Sequence, residues 1–262
     1  MFLRPIFRYL FSAQNEHGLH SPFVFDLYLN TIRKDTEQPK FESIEALRSE
    51  MLQSRETLKI TDLGAGSKVN PSPIREVRDI AGHSKKSAQL GRLFYRLIRH
   101  FNYHTIFDLG TSLGMTTLYL ASTKKDAQVV TFEGCPETAK MAQRNFEQFD
   151  TLAPIQVVVG NLDETLPAQV AAVSNIDFAF FDANHRYEPT VRYFETCLTK
   201  ANDDSLFVFD DIHWSPEMEA AWKYITAHAA VSVTIDLFSV GLVFFRKKQP
   251  KQNFVLRWPF WR

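Results

Sequence analysis

Apolar and polar positions along the 262-residue chain change rhythm near residue 100. Before it, the apolar residues fall at helical spacing: Phe41, Ile44, Leu47 and Met51 predict a helix over Phe41–Gln53, and Leu90, Leu93, Phe94, Leu97, Ile98 and Phe101 predict another over Leu90–Phe101. Between them, Asp62–Pro73 (DLGAGSKVNPSP) is rich in turn formers. After residue 103, short β-rich runs alternate with helical ones. The strands expected are Thr105–Leu109, Gln128–Glu133, Ile155–Val159, Ile176–Phe181 and Leu206–Asp210. The helices expected between and after them are Met115–Ser122, Pro136–Phe149, Glu164–Val173, Pro189–Thr199 and Pro216–His228, with Pro136, Pro189 and Pro216 where a first turn tolerates proline. Such alternation predicts a parallel sheet covered on both faces.

The rhythm breaks again at the end. Val231–Phe238 and Val240–Arg246 read as two strands, with Ser239 and Gly241 at or beside the turn and no room for a helix. A parallel crossover needs about a dozen residues, so this pair must be antiparallel. The pattern gives an N-terminal helical extension or lid over 1–100, a core domain over 101–250 and a tail over 251–262.

Composition narrows the classes. Hydrophobic residues make up 45% and charged residues 23%, as in a globular protein. Thirty basic residues balance thirty acidic ones, so nothing global draws the chain to nucleic acid, and no nucleic-acid partner is expected. Two cysteines, Cys135 and Cys197, make no disulfide framework and point to a reducing compartment. No apolar run nears the roughly 20 residues needed to span a bilayer. Arg8 interrupts the apolar N-terminus MFLRPIFRYLF, so no signal peptide is expected and a cytoplasmic location is. That segment and the aromatic-basic Phe254–Arg262 (FVLRWPFWR) read as packing elements or subunit contacts, compatible with a homodimer; peripheral membrane contact is the less favoured alternative.

Candidate chemistry gathers at the strand ends. The first strand of the alternating region runs into Asp108-Leu109-Gly110-Thr111-Ser112-Leu113-Gly114 and then a helix. Glycines there let backbone approach a ligand, and the helix N-terminus offers free N–H groups. Glu133 ends the next strand, where a carboxylate accepts both hydroxyls of a ribose; Gly134 and Cys135 follow as pocket wall. The two features together suit an adenosine-type cofactor at the carboxyl edge of the sheet. A pyrophosphate loop wants G-x-G-x-x-G. Here Ser112 stands at the middle glycine and the acid Asp108 precedes the first, which suits an ammonium group and favours S-adenosylmethionine over a dinucleotide. A tight strand–helix turn alone would also ask for these glycines. The third strand ends at Gly160-Asn161-Leu162-Asp163: Asn161 is placed to meet the adenine amine with Leu162 against the ring, although Asn161 or Asp163 could equally cap the next helix. The Asp62–Ser67 run (DLGAGS) mimics a cofactor loop, but Pro71 and Pro73 intervene and no strand-end acid follows.

The fourth strand ends Phe181-Asp182-Ala183-Asn184-His185 and the fifth Phe209-Asp210-Asp211-Ile212-His213-Trp214. Gathered carboxylates repel one another and a divalent cation relieves that. Asp182, Asp210 and Asp211 are the candidate ligands of Mg²⁺ or Mn²⁺, with Asp182 and His185 as candidate catalytic groups, His185 taking the proton from an acceptor hydroxyl. One of Asp210 and Asp211 could instead cap a turn or pair with Arg186 or Arg192, and His213 could pack on Trp214.

Residues from about 80 to 246 resemble class I S-adenosylmethionine-dependent methyltransferases, most of all the small O-methyltransferases related to catechol, caffeoyl-CoA and macrolide-sugar enzymes. FDLGTSLGMTTLYLA is similar to their first motif, Glu133 to their ribose acid, FFDANHRYEPT to their fourth-strand motif and FVFDDIHW to their fifth. The whole chain, from HGLHSPFVFDLY to the FFR strand, also resembles a set of bacterial methyltransferase-like proteins common in Bacteroidetes. The resemblance implies an α/β, Rossmann-like fold with a seven-stranded, mostly parallel sheet and an antiparallel last strand. It implies S-adenosylmethionine as cofactor, a small-molecule or sugar hydroxyl as acceptor, and metal at Asp182, Asp210 and Asp211, with Asp182 also lining the cofactor pocket. In the catechol-type enzymes a lysine stands three residues after the first metal ligand; His185 stands there in this sequence. Related enzymes draw part of the cofactor pocket from the segment before the first strand, which brings in Ser84. Competing readings are a catalytically silent S-adenosylmethionine-binding protein with a regulatory or scaffold role, a nicotinamide-dependent oxidoreductase, and a methyltransferase acting on a lipid or membrane glycan.

Overall fold

The computed structural model describes residues 3–35, 38–61, 72–83, 87–150 and 152–258. Ser84, most of the Asp62–Pro73 loop and the last four residues of the tail lie outside them. In chain order the elements begin with α1 (Leu3–Ser12), a 3-10 turn, α2 (Pro22–Leu27), a π-helical turn and α3 (Pro39–Met51). A short hairpin follows, β1 (Thr57–Lys59) and β2 (Ile74–Glu76), then α4 (Val77–His83) and α5 (Ala88–Phe101). The alternating region runs β3 (Thr105–Leu109), α6 (Met115–Ala121), β4 (Gln128–Glu133), α7 (Pro136–Phe146), β5 (Ile155–Val159), α8 (Leu162–Ala172), β6 (Phe178–Phe181), α9 (Tyr187–Leu198), β7 (Leu206–Asp210) and α10 (Pro216–Ala227). It closes with β8 (Val233–Asp236), β9 (Val240–Phe244) and β10 (Gln252–Val255).

The chain divides into two compact units, Asp35–Gln169 and a discontinuous one made of Met1–Lys34 with Val170–Arg262. In the first, β4 lies between β3 and β5, all parallel, with Leu109 opposite Phe132 and Glu133 opposite Val159. Parallel register puts the carboxyl ends of the three strands on one edge. Helices α5 and α6 meet where Gly91 faces Tyr119; a Cβ at Gly91 would lie 2.4 Å from that ring, so only glycine lets the helices approach this closely. Ser87 caps α5 by accepting from Leu90 N–H, and Asn102 ends it in the left-handed conformation at φ 56°.

In the second unit the strand order is β10-β8-β9-β7-β6. β6 and β7 are parallel, β9 is antiparallel to both β7 and β8, and β10 runs parallel to β8. Strands β6, β7, β8 and β9 are buried at every position, as strands covered on both faces must be. The antiparallel closing strand is thus β9, as expected. β10 is an addition: the segment read as a tail supplies an eighth strand beside β8. Its end is tied to α1. Gln14 N–H donates to Val255 O, Arg257 N–H to Gln14 O, and the Tyr9 hydroxyl to Leu256 O at 2.6 Å.

The fold is α/β and Rossmann-like, with a mostly parallel sheet and a helical N-terminal segment that also contains the β1–β2 hairpin. None of its described helices is long and apolar enough to cross a membrane.

Candidate functional site

In the first unit the loop after β3 is shaped by three left-handed residues, Gly110 (φ 123°), Ser112 (φ 48°) and Gly114 (φ 85°). Gly110 and Thr111 N–H both donate to Phe132 O, at 3.2 and 2.9 Å, and the Thr111 and Thr131 hydroxyls lie 2.6 Å apart. From the other side the Asn145 amide donates to Leu113 O at 2.9 Å. The loop is therefore held against β4 and α7 before any ligand arrives. Gly114 sits where a Cβ would lie 2.4 Å from the Phe146 ring.

Glu133 reaches this loop from the end of β4. One carboxylate oxygen, Oε2, accepts from Ser112 N–H at 2.8 Å and the other, Oε1, from Cys135 N–H at 2.9 Å. Each carboxylate oxygen has further lone-pair capacity for a hydroxyl donor. Asp108 lies deeper: it is fully buried, and its Oδ2 accepts from the Thr117 hydroxyl at 2.6 Å and from the Thr131 hydroxyl at 2.9 Å. In this geometry Asp108 joins β3, β4 and α6 beneath the loop. Gly134 continues the half-buried turn beside Glu133. Cys135 is buried, and its Sγ accepts from Thr61 N–H at 3.3 Å and donates to Lys59 O at 3.5 Å, so the thiol meets the chain leaving β1. Asn161 caps α8: its Oδ1 accepts from Asp163 N–H at 3.1 Å, with Leu162 half-buried beside it. The sequence-expected Asp108, Gly110, Thr111, Ser112, Gly114 and Glu133 thus meet at one edge of this unit. Sequence reasoning missed Thr117, Thr131 and Asn145, whose roles show only once β4, α6 and α7 surround the loop.

In the second unit the β6–β7 register pairs Phe181 with Phe209, so the next residues, Asp182 and Asp210, emerge side by side. Asn184 (φ 68°) and His185 (φ 45°) turn in the left-handed conformation. The turn brings His185 Nε2 back to 3.3 Å from Asp182 Oδ1. Asp182, His185 and Asp210 each offer a ligand atom within 4.8 Å of the others. Asp211 is outside that trio. Its backbone is left-handed at φ 53°, its N–H donates to Ser239 O, and its carbonyl accepts from Trp214 N–H. Burial opposes the charged form of His185, but its hydrogen bond to Asp182 and the charges of Asp182, Asp210 and Asp211 outweigh it and raise its pKa. His213 stacks on Phe238 with ring centroids 5.5 Å apart, and its Nε2 lies 2.8 Å from Asp236 Oδ2.

Comparison with known proteins agrees with this layout. Residues 107–212 match a family model described as a methyltransferase domain. The chain is 27% identical over 128 residues to a catechol O-methyltransferase of Niastella koreensis, covering 48% of this chain and 57% of that protein. It is 29% identical over 127 residues to a catechol O-methyltransferase of Mycobacterium tuberculosis, covering 48% and 56%. The chain thus spans a little over half the length of these curated relatives. Among solved structures, an O-methyltransferase from Bacillus cereus in complex with SAH has a TM-score of 0.56 at 17% identity, over 84% of this chain and 97% of that one. The O-methyltransferase TomG from Streptomyces achromogenes, in complex with SAM, has a TM-score of 0.56 at 16% identity, over 85% and 96%. At those identities the structural likeness speaks for the fold. The match is thus to a methyltransferase domain over residues 107–212, and the fold is similar to that of these O-methyltransferase structures.

Proposed function

We propose that the protein is an S-adenosylmethionine-dependent methyltransferase acting on a hydroxyl of a small molecule or sugar. The observation that carries this reading is Glu133, held by two backbone amides beside a prebuilt left-handed glycine loop at a strand edge. A carboxylate so fixed suits the two hydroxyls of a ribose, and the loop leaves room for backbone to meet the amino-acid end. Buried Asp108 acts here as a positioning residue beneath the loop. The SAH- and SAM-bound neighbours support the same cofactor.

S-adenosylmethionine, when bound, supplies the electrophilic methyl group. The acceptor hydroxyl must lose a proton as it attacks. His185 is suited to receive it. With Nε2–H donated to Asp182, Nδ1 is left to take the proton, and the surrounding carboxylates favour the imidazolium that forms. Most of the acceleration comes from holding the two substrates in line.

A second reading, metal assistance, is favoured by the Asp182–His185–Asp210 trio. Two carboxylates and an imidazole fit a divalent ion, Mn²⁺ more readily than Mg²⁺ because of the nitrogen ligand. The ligand set would then be these three, with Asp211 left to its turn. A bound ion would lower the pKa of the acceptor hydroxyl.

Isothermal titration with S-adenosylmethionine and S-adenosylhomocysteine, with NADH as control and Mn²⁺ or Mg²⁺ present or absent, tests both. Micromolar binding of the adenosyl ligands and none of NADH is expected. Absence of adenosyl binding overturns the methyltransferase reading, and Mn²⁺ binding that survives Asp210→Asn overturns the metal trio.

A further inference from the structure

The N-terminal helix has two unlike sides. Its inner side is fixed by Tyr9, which is 4% exposed, donates to Leu256 O, accepts from Trp258 N–H and lies 5.2 Å from the Phe238 ring. The outer side carries Phe7, Leu10 and Phe11 at i, i+3 and i+4, exposed by 56%, 43% and 90%. Arg8 is exposed beside them. A helix rotated to bury these three side chains would have to give up the Tyr9 bonds, so their exposure belongs to the way α1 is docked.

The two chain segments that meet here carry basic but no acidic side chains. No acidic residue occurs before Glu16, and none follows Asp236. These are the two segments that α1 and β10 bring together, and exposed Arg257 is held against α1 through its Nε–H bond to Ala13 O at 3.1 Å.

We propose that the outer face of α1 docks on an anionic lipid surface, with Phe7, Leu10 and Phe11 entering the headgroup boundary and Arg8 and Arg257 meeting lipid phosphates. Short aromatic-basic faces bind in this way, through apolar insertion plus attraction to anionic lipid. Area argues against a second copy of the chain. A stable pair buries about 800 Å² per partner, and three partly covered side chains of about 200 Å² or less each fall short. The proposal does not depend on the methyltransferase reading.

Co-sedimentation tests it, using the full chain at low salt with vesicles of phosphatidylcholine alone and of phosphatidylcholine with about a third phosphatidylglycerol. The wild type should pellet with the anionic vesicles. Phe7→Ser/Phe11→Ser should reduce the bound fraction about tenfold or more, and Arg8→Glu should abolish the preference for anionic lipid. Both variants alter exposed side chains, and an unchanged thermal midpoint verifies that they fold. No pelleting of the wild type, or pelleting unchanged in the double variant, overturns the proposal. So does a wild-type dimer by light scattering that the double variant dissociates while no vesicle binding is seen, since the face then belongs to a second copy.

Discussion

Gly114→Ala probes whether the cofactor loop is built as described. Two costs are separable in the structure. At φ 85° an alanine must hold the left-handed conformation, which costs about 1–2 kcal/mol. Its Cβ would also lie 2.4 and 2.7 Å from two Phe146 ring atoms and 3.4 Å from Ala142 Cβ. Phe146 packs against the cluster of Leu113, Met141 and Tyr119, so it cannot swing away freely. Overpacking of this kind costs about 1–3 kcal/mol, giving a loss of about 2–5 kcal/mol in all. Urea denaturation measures it as a lowered midpoint at constant slope. A double-mutant cycle separates the two parts. In a Phe146→Leu background the steric cost should largely vanish while the backbone cost stays, leaving about 1–2 kcal/mol for Gly114→Ala. A loss below about 1 kcal/mol in the wild-type background, or strict additivity with Phe146→Leu, would refute the reasoning.

Three further predictions concern the two clusters. Glu133→Ala should weaken S-adenosylhomocysteine binding at least about tenfold, because it removes the ribose acceptor and leaves Ser112 and Cys135 N–H without their carboxylate; calorimetric affinity equal to wild type would end the ribose assignment. Thr117→Val removes one of the two hydroxyl donors to Asp108 Oδ2 and should cost about 1–3 kcal/mol by denaturation; a neutral result would mean the buried carboxylate is held otherwise. The His185 pKa is raised above its ordinary 6.5, so the imidazolium adds stability that is fully present below about pH 6.5 and is lost as pH rises through the folded value. His185→Gln should therefore be less stable than wild type at about pH 6, with the gap narrowing as pH rises through the folded value, and a gap that does not change with pH would contradict the carboxylate coupling.

Much of the fold could be read from the sequence where burial alone dictates structure. The runs Thr105–Leu109, Gln128–Glu133, Ile155–Val159 and Leu206–Asp210 are strands to the residue. β3, β4 and β7 are buried along most of their length and turn-forming or charged residues bound them sharply, while the half-buried β5 is marked by its β-branched run. Elements that depend on a distant partner were opaque. β10 (QNFV) is short and only half-buried, and nothing local says it will lie beside β8. The three-residue strands β1 and β2 carry one buried side chain between them, Leu58. The candidate site divides in the same way. Glycines and strand-end acids announce themselves in the chain, whereas the Thr117 and Thr131 bonds to Asp108 need α6 and β4 already in place. Asp210 and Asp211 look equivalent in sequence, yet Asp211 turns in the left-handed conformation and it is Asp210 that shares a trio of candidate ligand atoms with Asp182 and His185.

The Tyr9–Leu256 bond joins residues 247 positions apart. During synthesis the chain leaves the ribosome in order, so α1 emerges well before its partner strand. The unit Asp35–Gln169 is continuous and has all its strands early, while the discontinuous unit must close a loop across the whole of it. Tyr9 is therefore without its partner strand until residues 252–256 follow. The inner side of the helix, docked in the finished protein, begins uncovered and stays so until residues 252–256 follow.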